Sequence, residues 1–242
     1  MKPKLITSFT LLMGMLAIGC GKKRPSPILQ HQRKVIQKAK LKVTPKLIES
    51  FSDSLNIARK GFNKVIFERY AIADSNYVVI QFFSKQNDKW VIKNDFHFPK
   101  DNLASCFPEV ANFNNDGLKD FTYVSSLAAR GCNEVRTLFI YDNQTDALIR
   151  IKNSEDFPNM QYAKELNCVT AFAISGSYDT LFAKLEADSL RLVMSQEQSG
   201  SDFIISVYDK NGKEKVIKKT KADPNDIGGP VDFSIAKKYI NR

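Results

Sequence analysis

Lys64–Phe96 reads KVIFERYAIADSNYVVIQFFSKQNDKWVIKNDF, and its pattern decides the fold. Three runs, 64–70, 76–83 and 89–96, alternate apolar and polar side chains, and the polar stretches IADS and SKQND separate them. A period of two puts every second side chain on one face of a strand, and connections this short return the chain antiparallel. The pattern recurs at 120–126, 135–142, 147–152 and 168–175, then at 179–186, 189–197, 202–209 and 213–219. Asn211-Gly212, between the last two runs, predicts a type I′ hairpin. No convincing 3.6-residue apolar period appears in the body. The expectation is an all-β fold: an antiparallel meander forming a small β-propeller-like domain or a barrel. Hairpin pairs about 45 residues apart suit four-stranded blades. Residues 153–166 read as a crossover loop, and ADPNDIGGPVDF (222–233) as a closing loop before a frayed end.

Working outward, the N-terminus does not share this pattern. Lys2 and Lys4 precede an apolar run from Leu11 to Ile18, too short for a stable transmembrane helix, and Gly19-Cys20 follows. Ala17-Ile18-Gly19-Cys20 resembles a bacterial lipobox, which implies a leader over 1–19, cleavage before Cys20 and acylation of its thiol. Residues 20–46 then form a basic tether, with Lys22, Lys23, Arg24, Arg33, Lys34, Lys38, Lys40, Lys42 and Lys46 and no acid. Ile28, Val35, Ile36 and Ala39 fall roughly on one helical face, so the tether reads either as an amphipathic membrane-surface helix or as a solvated linker after Pro25 and Pro27.

The formal net charge of +10 is therefore not a nucleic-acid footprint. Once the leader and tether are set aside, 47–242 carries 25 basic against 26 acidic residues. That body is ample for a single all-β domain. Partners are expected to be an anionic membrane surface and an envelope protein, with no nucleic acid. Gly21 and the stretch GKKRPS lack the acidic residues that mark inner-membrane retention or surface export in some bacterial lipoproteins. By that analogy the chain belongs on the periplasmic face of the outer membrane.

Besides Cys20 the chain has Cys106, Cys132 and Cys168. Their spacings fit no zinc pattern, and an exported chain meets an oxidising compartment. A meander through 120–152 places the 130–133 turn and the strand start near 168 at one end, which predicts a Cys132–Cys168 disulfide.

Ala111–Asp120 reads ANFNNDGLKD. Oxygen-bearing side chains at alternate positions can wrap a hard cation, and Gly117 permits a sharp reversal. They can equally cap a metal-free turn. An EF-hand would need an acid where Tyr123 stands, so that motif is excluded. The spacing resembles the DxNxDGxxD loops of FG-GAP and integrin-type propeller repeats. Carried over, that resemblance implies a structural Ca²⁺ held by Asn112, Asn114, Asp116, the Leu118 carbonyl and Asp120. Asn112 replaces the usual aspartate, and two formal charges in place of three imply weaker binding.

The loop together with Gly131-Cys132-Asn133 and LFIYDNQTDALIRI is similar to the calcium-loop family of periplasmic lysozyme-inhibitor-like β-propeller proteins. The likeness covers about 106–195, and more loosely 55–210. It implies a protein that binds and blocks a cell-wall hydrolase. Ser175–Tyr178 (SGSY) resembles the Ser-Gly loops of lysozyme inhibitors with a different spacing, and reads also as a plain hairpin turn. Only His31 and His97 are present, and no Ser-His-Asp, Cys-His, paired-carboxylate or phosphate-loop pattern accompanies them. The expectation is a non-enzymatic, lipid-anchored envelope protein that binds another protein, in particular a lysozyme-type hydrolase. The rival expectation is a structural or adhesive scaffold module of the envelope.

Overall fold

The computed structural model describes residues 44–222 and 233–240. The expected leader (1–19), Cys20 and nearly all of the expected tether (20–46) lie outside the described residues. Among the described residues the body is all-β: three antiparallel sheets, with one short helix near the C-terminus.

Sheet one is β1 (Lys46–Asp53), β2 (Asn63–Ile72), β3 (Ser75–Gln86) and β4 (Lys89–Lys100), in chain order. Sheet two is β5 (Glu109–Ala111), β6 (Asp120–Ala128), β7 (Asn133–Asp142) and β8 (Ala147–Arg150). Sheet three runs from β9 (Gln161–Ala163) through β10 (Cys168–Ile174), β11 (Tyr178–Glu186), β12 (Ser189–Ser199) and β13 (Asp202–Tyr208) to β14 (Glu214–Lys221). Within each sheet every strand pairs with its sequence neighbours, as a meander requires, and no sheet closes into a barrel. The helix α1 spans Phe233–Ile240. Among the described residues no helix is long and apolar enough to cross a membrane.

The eleven alternating runs all become strands. Their alternation sorts side chains between layers. On β2 and β3, Val65, Phe67, Val78, Ile80 and Phe82 point into the first core, while their neighbours face outward. On β7, Leu138 and Ile140 enter the second core, whereas Phe139 and Tyr141 enter the first. Sheet two is thus buried on both faces. Sheet three repeats the arrangement: Val169 and Ala183 share the second core, while Cys168, Phe182 and Met194 pack with Ala236 and Ile240 of α1 in a third.

Phe139 is the hub of the first core. Its ring lies 5.0 Å from Phe96, 6.0 Å from Phe121 and 6.1 Å from Phe98. Tilted aromatic pairs of this kind add roughly 0.5–1.5 kcal/mol each beyond the area they bury.

Four sequence expectations need correction. First, β1 precedes the first alternating run; it is an edge strand with mostly exposed side chains, so its apolar signal is faint. Second, the 153–166 stretch contains a short 3-10 turn and the three-residue β9. Third, α1 occupies the segment read as a frayed end, held by Ala236 and Ile240. Fourth, the β13–β14 connection is not a two-residue type I′ turn. Gly212 alone has positive φ there, and the Asp209 carboxylate accepts the Asn211 and Lys213 N–H groups across a five-residue loop.

The expected Cys132–Cys168 disulfide is absent: both are free thiols, Cys132 exposed and Cys168 buried. The reason lies in how sheets two and three meet. Asn133, beside Cys132, donates from Nδ2 to the Ile174 carbonyl and accepts the Ile174 N–H, both at 3.0 Å. Ile174 ends β10 and Cys168 begins it, so the two cysteines stand near opposite ends of a strand roughly 20 Å long at ~3.3 Å per residue. A disulfide needs Cα atoms within about 7 Å.

Candidate functional site

The short strand β5 sits between two loops that together form the candidate site. One is the cation-type loop, 112–119. The other is the connector from β4 to β5, Asp101–Pro108.

The first loop is built from side chains that hold their own backbone. Asn112 Oδ1 accepts the N–H of Asn114 at 3.3 Å and of Asn115 at 2.7 Å. Asn114 Oδ1 accepts the Asp116 N–H at 3.1 Å, and Asp116 Oδ1 accepts that of Leu118 at 2.8 Å. These are consecutive Asx turns. Gly117 at φ 88° supplies the reversal that a side chain would oppose. Asp120, at the start of β6, closes the loop from inside. It is fully buried, and its carboxylate accepts the Phe113 N–H at 2.7 Å and the Tyr141 N–H at 2.9 Å. Burial pushes the Asp120 carboxyl up to about 7, against the lowering pull of those two N–H groups, and the charge of Asp116 pushes it further up.

All five expected ligand positions, Asn112, Asn114, Asp116, Leu118 and Asp120, therefore fall on one tight turn. Their donor set is all oxygen, the chemistry a hard cation takes. Each side-chain oxygen that accepts one N–H keeps a second lone pair. Among the described residues no cationic side chain pairs with Asp116 or Asp120, and a buried carboxylate without a counter-charge is costly. Asn112 Oδ1, by contrast, already accepts two N–H groups, so the loop as it stands is a self-capped turn with an all-oxygen lining. No group of three His, Cys, Asp or Glu side chains gathers among the described residues.

The connector was not singled out by any sequence pattern. Its backbone is held by the buried Arg69 and the partly buried Glu49 and Arg136. Arg69 pairs with Glu49 at 2.7 Å and donates to the carbonyls of Ala104 at 3.0 Å and Asp101 at 3.2 Å. Glu49 accepts the Cys106 N–H at 2.9 Å, and the Cys106 carbonyl accepts the Val124 N–H at 2.6 Å. Burial would raise the Glu49 carboxyl, but the Cys106 N–H and the Arg69 guanidinium outweigh it and hold it low. Arg136 donates to the Phe107 carbonyl at 3.4 Å. On this fixed backbone Leu103 is 73% exposed and Phe107 61% exposed. Phe107 also sits at φ 38°, a region a bulky residue enters only when its surroundings force it.

The other sequence candidates are less informative. Ser175–Ser177 form the turn between β10 and β11, with Gly176 at φ 94° and the Ser177 hydroxyl donating to Asp179 at 3.0 Å. This is the hairpin-turn reading of SGSY. His97 is an exposed β4 residue beside Asp95 at 3.1 Å.

No family model matches this chain, and no curated protein does. A solved structure described as "Structure of a Xanthomonas Type IV Secretion System related protein" is similar over 72% of this chain and 98% of its own, at 12% identity and a TM-score of 0.48.

Proposed function

We propose that this chain is a lipid-anchored envelope protein that binds another protein through the Asp101–Pro108 connector, without catalysing a reaction. The observation that carries this reading is the contrast within the connector. Its backbone is hydrogen-bonded to Arg69, Glu49 and Arg136, while Leu103 and Phe107 project into solvent. Large apolar side chains on a pre-ordered loop are what an interface hot spot needs, because little conformational freedom remains to be lost on binding. The partner is a lysozyme-type cell-wall hydrolase, which the protein blocks. Support for that partner is the likeness of the 106–195 region to calcium-loop lysozyme-inhibitor-like proteins. In the same reading the three successive meander sheets are propeller-like, Ca²⁺ braces the 112–120 loop beside β5, and Cys20 carries the acyl anchor on the periplasmic face of the outer membrane.

The test is a titration of purified protein against lysozyme-type hydrolases acting on isolated cell walls, run with wild type, Leu103→Asp and Phe107→Asp. Stoichiometric inhibition that either substitution weakens at least tenfold, with an unchanged melting midpoint, supports the proposal. A stable complex that leaves hydrolysis untouched points instead to the scaffold reading. No complex with any of these hydrolases removes the inhibitor.

A further inference from the structure

A cavity of about 500 Å³ opens beside the start of the connector, between the end of β4 and the edge of sheet two. Phe98, Lys100, Asp101, Ser126, Arg150 and Glu155 are among the residues that line it, with Tyr123 beneath. Its charged groups are not equivalent. Lys100 is committed: its ammonium is buried and paired with the neighbouring Asp101 carboxylate. Glu155 accepts the Thr137 hydroxyl at 2.8 Å. Arg150 is uncommitted. Its guanidinium lies 4.7 Å over the Phe98 ring, and its Nε is buried with no acceptor. Among the described residues no carboxylate comes within ion-pair distance of it. The Ser126 hydroxyl likewise has no protein partner among the described residues.

Arg150 thus brings to the cavity wall a guanidinium with no carboxylate partner among the described residues, and a cation of this kind favours an anion that can reach its cavity-facing N–H groups. Guanidinium geometry matches a planar two-oxygen anion. Asp101 and Glu155 on the walls repel a dianion such as phosphate and tolerate a single negative charge. Phe98 offers apolar surface to a short methylene stem.

We infer that this cavity is a carboxylate subsite, taking an Asp or Glu side chain of the bound protein between Arg150 and Ser126. The source of the carboxylate rests on the protein-binding reading above, since the cavity adjoins the connector that displays Leu103 and Phe107. The subsite would set register and specificity for a contact whose apolar anchors lie on the connector.

The test uses ¹⁵N-labelled protein and two probes, N-acetyl-glutamate methylamide and its neutral isostere N-acetyl-glutamine methylamide. The expected result is a saturable shift of the Arg150 Nε–H and the Ser126 amide with the glutamate probe and none with the glutamine probe. Arg150→Gln is expected to abolish the response, Arg150→Lys to retain part of it, and Ser126→Ala to weaken it. Equal shifts from both probes, or no shift with either, overturn the subsite whatever happens at the connector. If the glutamate probe binds while Leu103→Asp and Phe107→Asp leave partner binding intact, the subsite stands and the connector reading fails. With a partner in hand, Arg150→Gln is expected to weaken binding roughly 10- to 100-fold, the worth of a charge-assisted hydrogen bond. The Ser126→Ala result guards against an Arg150 variant that fails to fold.

Discussion

The Tyr141 hydroxyl donates to Asp146 Oδ1 at 2.9 Å, and the same oxygen receives Asn63 Nδ2 at 2.9 Å and Arg59 Nη2 at 2.5 Å. One carboxylate in the β7–β8 turn thereby fastens sheet two to the start of β2. Burial would raise its pKa, and hydrogen bonds from Ser84, Asn63, Tyr141 and Arg59 together outweigh burial and hold it under the usual aspartate range. A carboxyl depressed in the folded state adds stability above its unfolded pKa and loses it as pH falls through the folded one. Asp146→Asn is therefore expected to cost about 1–3 kcal/mol at neutral pH by urea denaturation. That difference from wild type should shrink once the pH drops below about 4. A penalty that stays constant from pH 7 to pH 2 would contradict this account.

Calcium removal gives a second prediction. If Ca²⁺ braces the 112–120 loop, excess ligand stabilises the native state by linkage, and EGTA lowers the melting midpoint. Asp116→Ala is expected to abolish the shift. Asn112→Asp restores a third charge and is expected to enlarge it. An EGTA-insensitive midpoint for wild type would leave the loop as a self-capped turn.

Phe107 should show a trade between stability and binding. Gly accepts φ 38° without strain, and the exposed ring contributes little burial. Phe107→Gly is expected to change stability by no more than roughly 1 kcal/mol, in the favourable direction. The same variant is expected to lose partner affinity. Calorimetry and a binding titration on one sample check both signs.

The three body thiols should react in a fixed order. Cys132 is exposed, whereas Cys106 and Cys168 are buried, and burial pushes their thiols up to about 12 and about 11. A thiol-specific reagent at neutral pH is expected to modify Cys132 within minutes. The other two should react only on unfolding, because the thiolate is the nucleophile. Rapid labelling of Cys168 in folded protein would contradict its place beneath α1.

Cys20→Ser tests the anchor. The substitution is expected to move the protein from the membrane to the soluble fraction and to eliminate radiolabelled palmitate incorporation. The basic tether alone should leave only salt-sensitive attachment, since screening shortens its reach. Persistent high-salt membrane association of Cys20→Ser would rule the lipid anchor out.

Strands with one solvated face were legible because alternation is a local signal, as in β2 and β3. The three-residue strands β5 and β9 are too short to carry a period. Ile235, Ala236, Tyr239 and Ile240 do repeat at helical spacing, but the Pro/Gly-rich stretch before them obscured it. The cation-type loop was readable because its Asx turns are made within nine residues. The connector was not, since its order comes from Glu49, Arg69 and Arg136, which are distant in sequence. The disulfide expectation failed for a related reason. Strand succession was right, but the Asn133–Ile174 bonds, which decide which ends of the sheets meet, have no local signature.

The double burial of sheet two has a consequence for how the chain can evolve or be trimmed. Removing the last sheet would expose Leu138, Ile140 and Ile151, and removing the first would expose Phe121, Tyr123 and Phe139. Neither half has a water-tolerant face to fall back on. The repeating sheets therefore do not behave as independent modules that can be added or lost one at a time. The described body is expected to melt in one cooperative step, with a calorimetric enthalpy equal to its van't Hoff value.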